Sequence, residues 1–215
     1  MRQRKIKNLE EKLAARGRWQ VPDPAEHKGH WADLFGRRAP LYLEIGCGKG
    51  QFIAEMSRRN PQWDFVAFEG QESVVLHALE KAETSDAQNV LFVPQFVHNL
   101  TDVFAEEEVS GIFLNFSDPW PKDRHAKRRL TSGGYLSDYA AILVPGGVLE
   151  FKTDNDGLFE YSVEQMAAAP GFAIEYQTRD LHHDMPEEEI VTTEYEDKFS
   201  AQGKNINYIR LRKCE

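Results

Sequence analysis

The sequence predicts an α/β domain built on a doubly wound, mostly parallel sheet with helices on both faces. Three observations predict it. From residue 41 onward short apolar runs alternate with amphipathic stretches of helical length, Gly and Pro punctuate the junctions, and a glycine-rich segment joins the first apolar run to the first amphipathic one. Strands separated by helices of this length pair in parallel through right-handed crossovers. In such sheets ligands bind beyond the carboxyl ends of the strands. The residues just after each strand are therefore the candidates for function.

Residues 1–38 read as a basic, helix-prone N-terminal arm, then a loop with Pro22, Pro24 and Gly29, then a short amphipathic piece at Trp31–Phe35. Residues 39–215 read as the α/β domain itself. Leu41–Ile45 is a short apolar strand, Gln51–Arg59 a helix stopped by Asn60-Pro61, and Asp64–Phe68 a second strand. Glu72–Thr84 has helical periodicity and Val90–Val93 is a strand. Residues 111–116 follow as a strand, 133–143 as a helix, and 148–152 as a strand after a Pro145-Gly146-Gly147 turn. Residues 158–169 are helical up to Pro170-Gly171, and 172–177 and 206–211 close the pattern as strands.

A chain of 215 residues with 41% apolar and 28% charged residues has the balance of one folded globular core. No apolar run approaches the roughly 18 residues needed to span a bilayer, and the basic N-terminus lacks the apolar stretch of a secretory signal, so no membrane partner and a cytoplasmic location are expected. Cys47 and Cys214 form neither a disulfide framework nor a CxxC pair, and His182-His183-Asp184 reads as a solvated loop; no metal is expected. The net charge of −9 opposes nucleic-acid binding only until its distribution is considered. Arg2, Arg4, Lys5, Lys7, Lys12, Arg16 and Arg18 crowd the N-terminus, and Lys122, Arg124, Lys127, Arg128 and Arg129 form a second basic run. Acidic residues gather elsewhere, notably over 184–197. A chain so segregated can present one anion-binding face.

The first strand runs into Glu44-Ile45-Gly46-Cys47-Gly48-Lys49-Gly50, where glycines let the backbone approach a ligand. Glu69 follows the second strand, placed to accept both hydroxyl hydrogens of a ribose. Dinucleotides require a pyrophosphate over the helix N-terminus, whereas S-adenosylmethionine offers an ammonium and a sulfonium. A carboxylate at Glu44, two places before the first glycine, suits those cations and repels a pyrophosphate. The absence of Ser or Thr after Lys49 excludes a Walker A loop. Cys47 reads as a small residue in a tight turn.

Beyond residue 116 lies Ser117-Asp118-Pro119-Trp120-Pro121-Lys122, continuing into the basic run. Two prolines pin a carboxylate and an aromatic ring at the sheet edge. That combination can hold a base by stacking and polar contact while cations hold adjacent phosphates.

With these motifs in view, the sequence resembles the tRNA (guanine-N7)-methyltransferases over roughly residues 38–212. The resemblance rests on the run from Leu114 to Lys122, the basic helix after it, Phe151-Lys152-Thr153-Asp154-Asn155 and Thr193-Glu194-Tyr195-Glu196. It implies a Rossmann-like class I methyltransferase fold and methyl transfer from S-adenosylmethionine to N7 of the variable-loop guanosine of tRNA, with no DNA substrate and no obligate protein partner. It further implies that Glu44, Gly46, Gly48, Glu69 and Asp118 bind the donor, with Asp118 also catalytic. Lys122, Asp154, Thr193, Glu194, Tyr195 and Glu196 would contact substrate, and Arg124, Lys127, Arg128 and Arg129 would face RNA. One position departs from the pattern: Phe96 stands where the family has a third donor-binding carboxylate, leaving Asn99 or Gln95 to make the adenine contact, or Phe96 to pack on the ring. Two other classes compete. Asp118-Pro119-Trp120 superficially resembles the Asp-Pro-Pro-aromatic motif of amino-group methyltransferases, although Trp120 replaces the second proline. An RNA-binding adaptor without catalysis would keep the basic run but has no need of Glu44, Glu69 and Asp118 together.

Overall fold

The computed structural model describes residues 6–215; the basic side chains of Arg2, Arg4 and Lys5 lie outside the described residues. Seven strands form one sheet: β1 (Leu41–Ile45), β2 (Asp64–Phe68), β3 (Val90–Val93), β4 (Val109–Asn115), β5 (Leu143–Thr153), β6 (Phe172–Thr178) and β7 (Asn207–Lys213). Their order is β3-β2-β1-β4-β5-β7-β6. The first five strands pair in parallel, while β7 is antiparallel to both β5 and β6. The order reverses direction at β1, so a crevice opens there at the carboxyl edge.

Eight α-helices accompany the sheet among the described residues: α1 (Leu9–Ala14), α2 (Trp31–Phe35), α3 (Gln51–Arg59), α4 (Glu72–Thr84), α5 (Gly133–Ile142), α6 (Asp156–Ala167), α7 (Leu181–Asp184) and α8 (Glu194–Ser200). Alternation along β1 divides the core. Leu41, Leu43 and Ile45 point to one face, where Trp31 of α2, Leu136 of α5 and Leu158 of α6 meet them. Tyr42 points to the other face, packed with Phe52 and Ile53 of α3 and Val75, Ala78 and Leu79 of α4. The apolar residues of α4 recur at 75, 78, 79 and 82, the stripe that a helix lays on a sheet. α3 stops where Asn60 turns its side-chain amide onto the Met56 carbonyl at 3.0 Å, just ahead of Pro61. No helix among the described residues is long and apolar enough to cross a membrane.

The segment ahead of β1 is laid onto the sheet. Trp19 is buried and donates its indole N–H to the Ala87 carbonyl at 2.8 Å, and Gln20 bridges to Phe92. Trp31 stacks on Phe104 with ring centroids 5.2 Å apart. Arg16 and Arg18 form ion pairs with Glu83 and Asp86 at the end of α4.

The structure corrects four local expectations. Pro145-Gly146-Gly147 is a bulge within β5, because Leu143 already pairs with Val109 before Val148 resumes with Gly111. α6 begins earlier than expected, since the Asn155 side chain accepts the Leu158 N–H at 2.8 Å and caps it. β4 starts at Val109 and ends one residue before Phe116, whose φ of 52° takes it out of strand geometry. The basic run is a 3₁₀ turn over Asp123–Arg128, not an α-helix, and returns to extended backbone at Arg129.

Candidate active site

β1, β2 and β4 end together around the glycine-rich turn. Gly46 and Gly48 have φ of 83° and 57°, and the Gly46 and Cys47 amides both donate to the Phe68 carbonyl at 2.9 Å. This fastens the turn to the end of β2. A Cβ on Gly50 would meet Ala78 Cβ at 2.5 Å, so glycine there lets α3 and α4 approach. Burial pushes the Cys47 thiol well above its ordinary range, helped by the charges of Glu44 and Glu69, so it has no thiolate character for redox work.

Glu44 is 1% exposed. One carboxylate oxygen accepts from Asn115 Nδ2 at 2.9 Å, and the other, Oε2, has no hydrogen-bond partner. Burial drives its pKa up to about 8, with the Asn115 bond opposing and the nearby Glu194 and Glu69 adding to the rise. A buried carboxyl with one free oxygen is a receptor for a cationic donor. Glu69 is organised differently: its two oxygens accept from the Gly48 amide at 3.1 Å and the Gln71 amide at 2.8 Å, which fixes the carboxylate at the lip of β2.

A cavity of about 690 Å³ opens over these ends, lined among others by Gly46, Glu69, Phe96, Asp118, Trp120 and Arg128. That volume suits a nucleoside-sized ligand. Asn99 does not join it. Its side chain turns to Asp102 at 3.2 Å, at the start of a 3₁₀ turn, and it lines a neighbouring depression instead. Gln95 lines the cavity but spends its amide on the Pro22 carbonyl, whereas Phe96 stands open at the wall.

Asp118 is exposed on the loop after β4, between two non-glycine residues with left-handed backbone, Phe116 at φ 52° and Trp120 at φ 40°. Such conformations are held only where the surroundings over-determine them. Arg129 supplies much of that hold. It is buried and donates from Nε to the Pro119 carbonyl at 3.0 Å and from Nη2 to the Trp120 carbonyl at 3.1 Å, with its guanidinium over Tyr161. The expectation that Arg129 faces RNA is therefore corrected, because the side chain is buried and its guanidinium is turned onto the Asp118 loop. Lys122, Arg124, Lys127 and Arg128 are exposed and, among the described residues, unpaired with any carboxylate. Arg128 lies over Trp120, 4.9 Å from the ring centroid.

The segment ahead of β7 closes the far side. Thr193 caps α8 by accepting the Glu196 N–H at 3.0 Å, and Glu194 pairs with Lys81, which also donates to the Lys49 carbonyl at 2.6 Å. Tyr195 is exposed, packed 5.0 Å from Phe116, and donates to Asp154 at 3.3 Å. Asp154 also accepts from Lys204 Nζ at 3.0 Å. Glu196 is fully buried and bound to Lys152 at 3.2 Å and His182 at 3.0 Å. It anchors α8 to β5 instead of meeting substrate, which corrects that expectation. Asn115, Lys152, Lys81 and Lys204 are partners that the motifs alone did not reveal.

A family model described as "Putative methyltransferase" matches residues 38–209. The tRNA (guanine-N(7)-)-methyltransferase of Lachnoclostridium phytofermentans is 44% identical to this chain over 207 residues, covering 96% of both. That of Bacillus subtilis is 45% identical over 186 residues, covering 86% of both. The crystal structure of the 16S rRNA methyltransferase KamB has a similar fold, with a TM-score of 0.60 at 14% identity over 87% of this chain and 94% of that one.

Proposed function

Because the chain belongs to the tRNA (guanine-N(7)-)-methyltransferase family, we infer how its own residues carry out methyl transfer from S-adenosylmethionine to N7 of a tRNA guanosine, and place that guanosine in the variable loop. The observation that carries this reading is one cavity bordered by the fixed Glu69, the strained Asp118 loop and unpaired cations, with the buried, half-unpartnered Glu44 held behind its wall by Asn115.

S-adenosylmethionine supplies an electrophilic methyl group carried on a sulfonium. Glu44 receives the ammonium of its amino-acid portion through the free Oε2, and Glu69 accepts the ribose hydroxyls. Guanine N7 has an in-plane lone pair and needs no deprotonation before attack, so the protein's task is chiefly alignment. As the N7–methyl bond forms and the methyl–sulfur bond breaks, positive charge passes from the sulfonium, which leaves as a neutral thioether, to the purine. Asp118, held in place by the Arg129 clamp on its loop, offsets that charge without acting as a strong base. Trp120 offers a ring for stacking, and Tyr195, Glu194 and Asp154 border the approach of the base. Lys122, Arg124, Lys127 and Arg128 take the phosphates, the cytoplasm being the place of action.

A tRNA transcript whose variable-loop guanosine is replaced by adenosine tests the position. Loss of methyl incorporation supports the reading; undiminished incorporation places the target elsewhere.

A further inference from the structure

The order of strands dictates the order in which their ends meet a ligand. β3, β2 and β1 are neighbours, each about 4.8 Å from the next, so Phe96 after β3, Glu69 at β2 and Glu44 at β1 span on the order of 10 Å along the carboxyl edge of the sheet, with Phe96 and Glu69 lining the cavity and Glu44 buried behind it. Glu69 takes the ribose and Glu44 the ammonium, so the base attached to that ribose is directed away from β1, toward the end of β3.

Phe96 is what stands there. It is 65% exposed, the most exposed of the large apolar side chains among the described residues, and it lines the cavity wall. A Cβ placed on Gly70 would collide with its Cγ, Cδ1 and Cδ2 alike, so the face of the ring lies on Gly70, the residue after Glu69. With one face against Gly70, the exposed area belongs to the other face and the edge. An apolar ring left open at a cavity wall, beside a ribose-binding carboxylate and supported by a position that admits only glycine, has the form of a stacking platform for a flat base.

We propose that Phe96, seated on Gly70, is the platform on which the adenine of the methyl donor stacks. The proposal rests on the donor assignment above. It gives Gly70 a specific role: any side chain there lifts the ring out of position, although its backbone would tolerate alanine.

Calorimetric titration of S-adenosylhomocysteine and of adenosine into wild type, Phe96→Ala, Phe96→Tyr, Gly70→Ala and the Gly70→Ala/Phe96→Ala double variant tests this directly. Phe96→Ala should weaken both ligands by about tenfold while Phe96→Tyr retains affinity. Gly70→Ala should weaken binding in the wild-type background and add little once Phe96 is gone. Unchanged affinity in Phe96→Ala, or a rise confined to the KM for tRNA, would overturn the platform and leave the donor assignment standing. Failure of wild type to bind S-adenosylhomocysteine would overturn both.

Discussion

Replacing Glu44 by Gln separates the two demands the site places on this residue. In the folded protein its carboxyl titrates near 8, against 4.5 for an ordinary glutamate. A folded-state value above the unfolded one means that the native state binds the extra proton between those limits, so stability is greatest below about pH 4.5 and declines as pH rises toward 8. At about 1.4 kcal/mol per unit, wild type should lose about 3 kcal/mol from this group between pH 4.5 and 7. Gln is nearly isosteric, can keep the Asn115 contact and has no such titration. The constant effects of the amide cancel when the two pH values are compared, so Glu44→Gln should gain about 3 kcal/mol relative to wild type over that interval. Urea unfolding of both proteins at the two pH values measures it. The same variant should lose S-adenosylhomocysteine affinity at least about tenfold, through loss of a charge-assisted bond. Wild type should also release protons on binding near neutral pH, seen as a dependence of the calorimetric enthalpy on buffer, and the variant should not. Parallel stability profiles for the two proteins would refute the assignment of a buried, neutralised Glu44.

Three further outcomes are expected. Asp118→Asn should lower kcat by about 10²-fold while tRNA affinity falls much less, as measured by single-turnover methylation and filter binding. Lys127→Ala with Arg128→Ala should flatten the slope of log affinity for tRNA against log salt by about 1.4–1.8 and leave donor binding intact, which titrations at several salt concentrations will show. Arg129→Ala should leave that slope unchanged but reduce stability by about 1–3 kcal/mol and depress kcat, because two carbonyls of the Asp118 loop lose their donors; a slope reduced by one phosphate contact would restore Arg129 to the RNA face.

The first half of the domain is readable from sequence because each segment carries its own punctuation. Leu41–Ile45, Gln51–Arg59, Asp64–Phe68, Glu72–Thr84 and Val90–Val93 all lie between glycines, prolines or polar breaks, and all form the expected structures. Pro145-Gly146-Gly147 carries the same punctuation, yet pairing with β4 continues on both sides of it, and pairing is a tertiary fact. The site divides in a similar way. Glu44, Glu69 and Asp118 are legible because strand ends locate them. In sequence Arg129 reads as facing RNA and Glu196 as contacting substrate, and only packing shows one clamping a loop and the other buried against Lys152. A signal for Glu196 was present: Thr193-x-x-Glu196 has the spacing of a capping box, which predicts a helix start there. Asn99 lies close to Phe96 in sequence, but the intervening chain turns it toward Asp102.

The measurement that bears most directly on the whole account is the chemical identity of the methylated nucleoside. Unmodified tRNA is incubated with the purified protein and isotopically labelled S-adenosylmethionine, digested, and analysed by mass spectrometry against wild type and Asp118→Asn. The account predicts label in N7-methylguanosine alone, formed by wild type and nearly abolished in the variant. Label in an exocyclic amino group, or equal N7 methylation by both proteins, would contradict it.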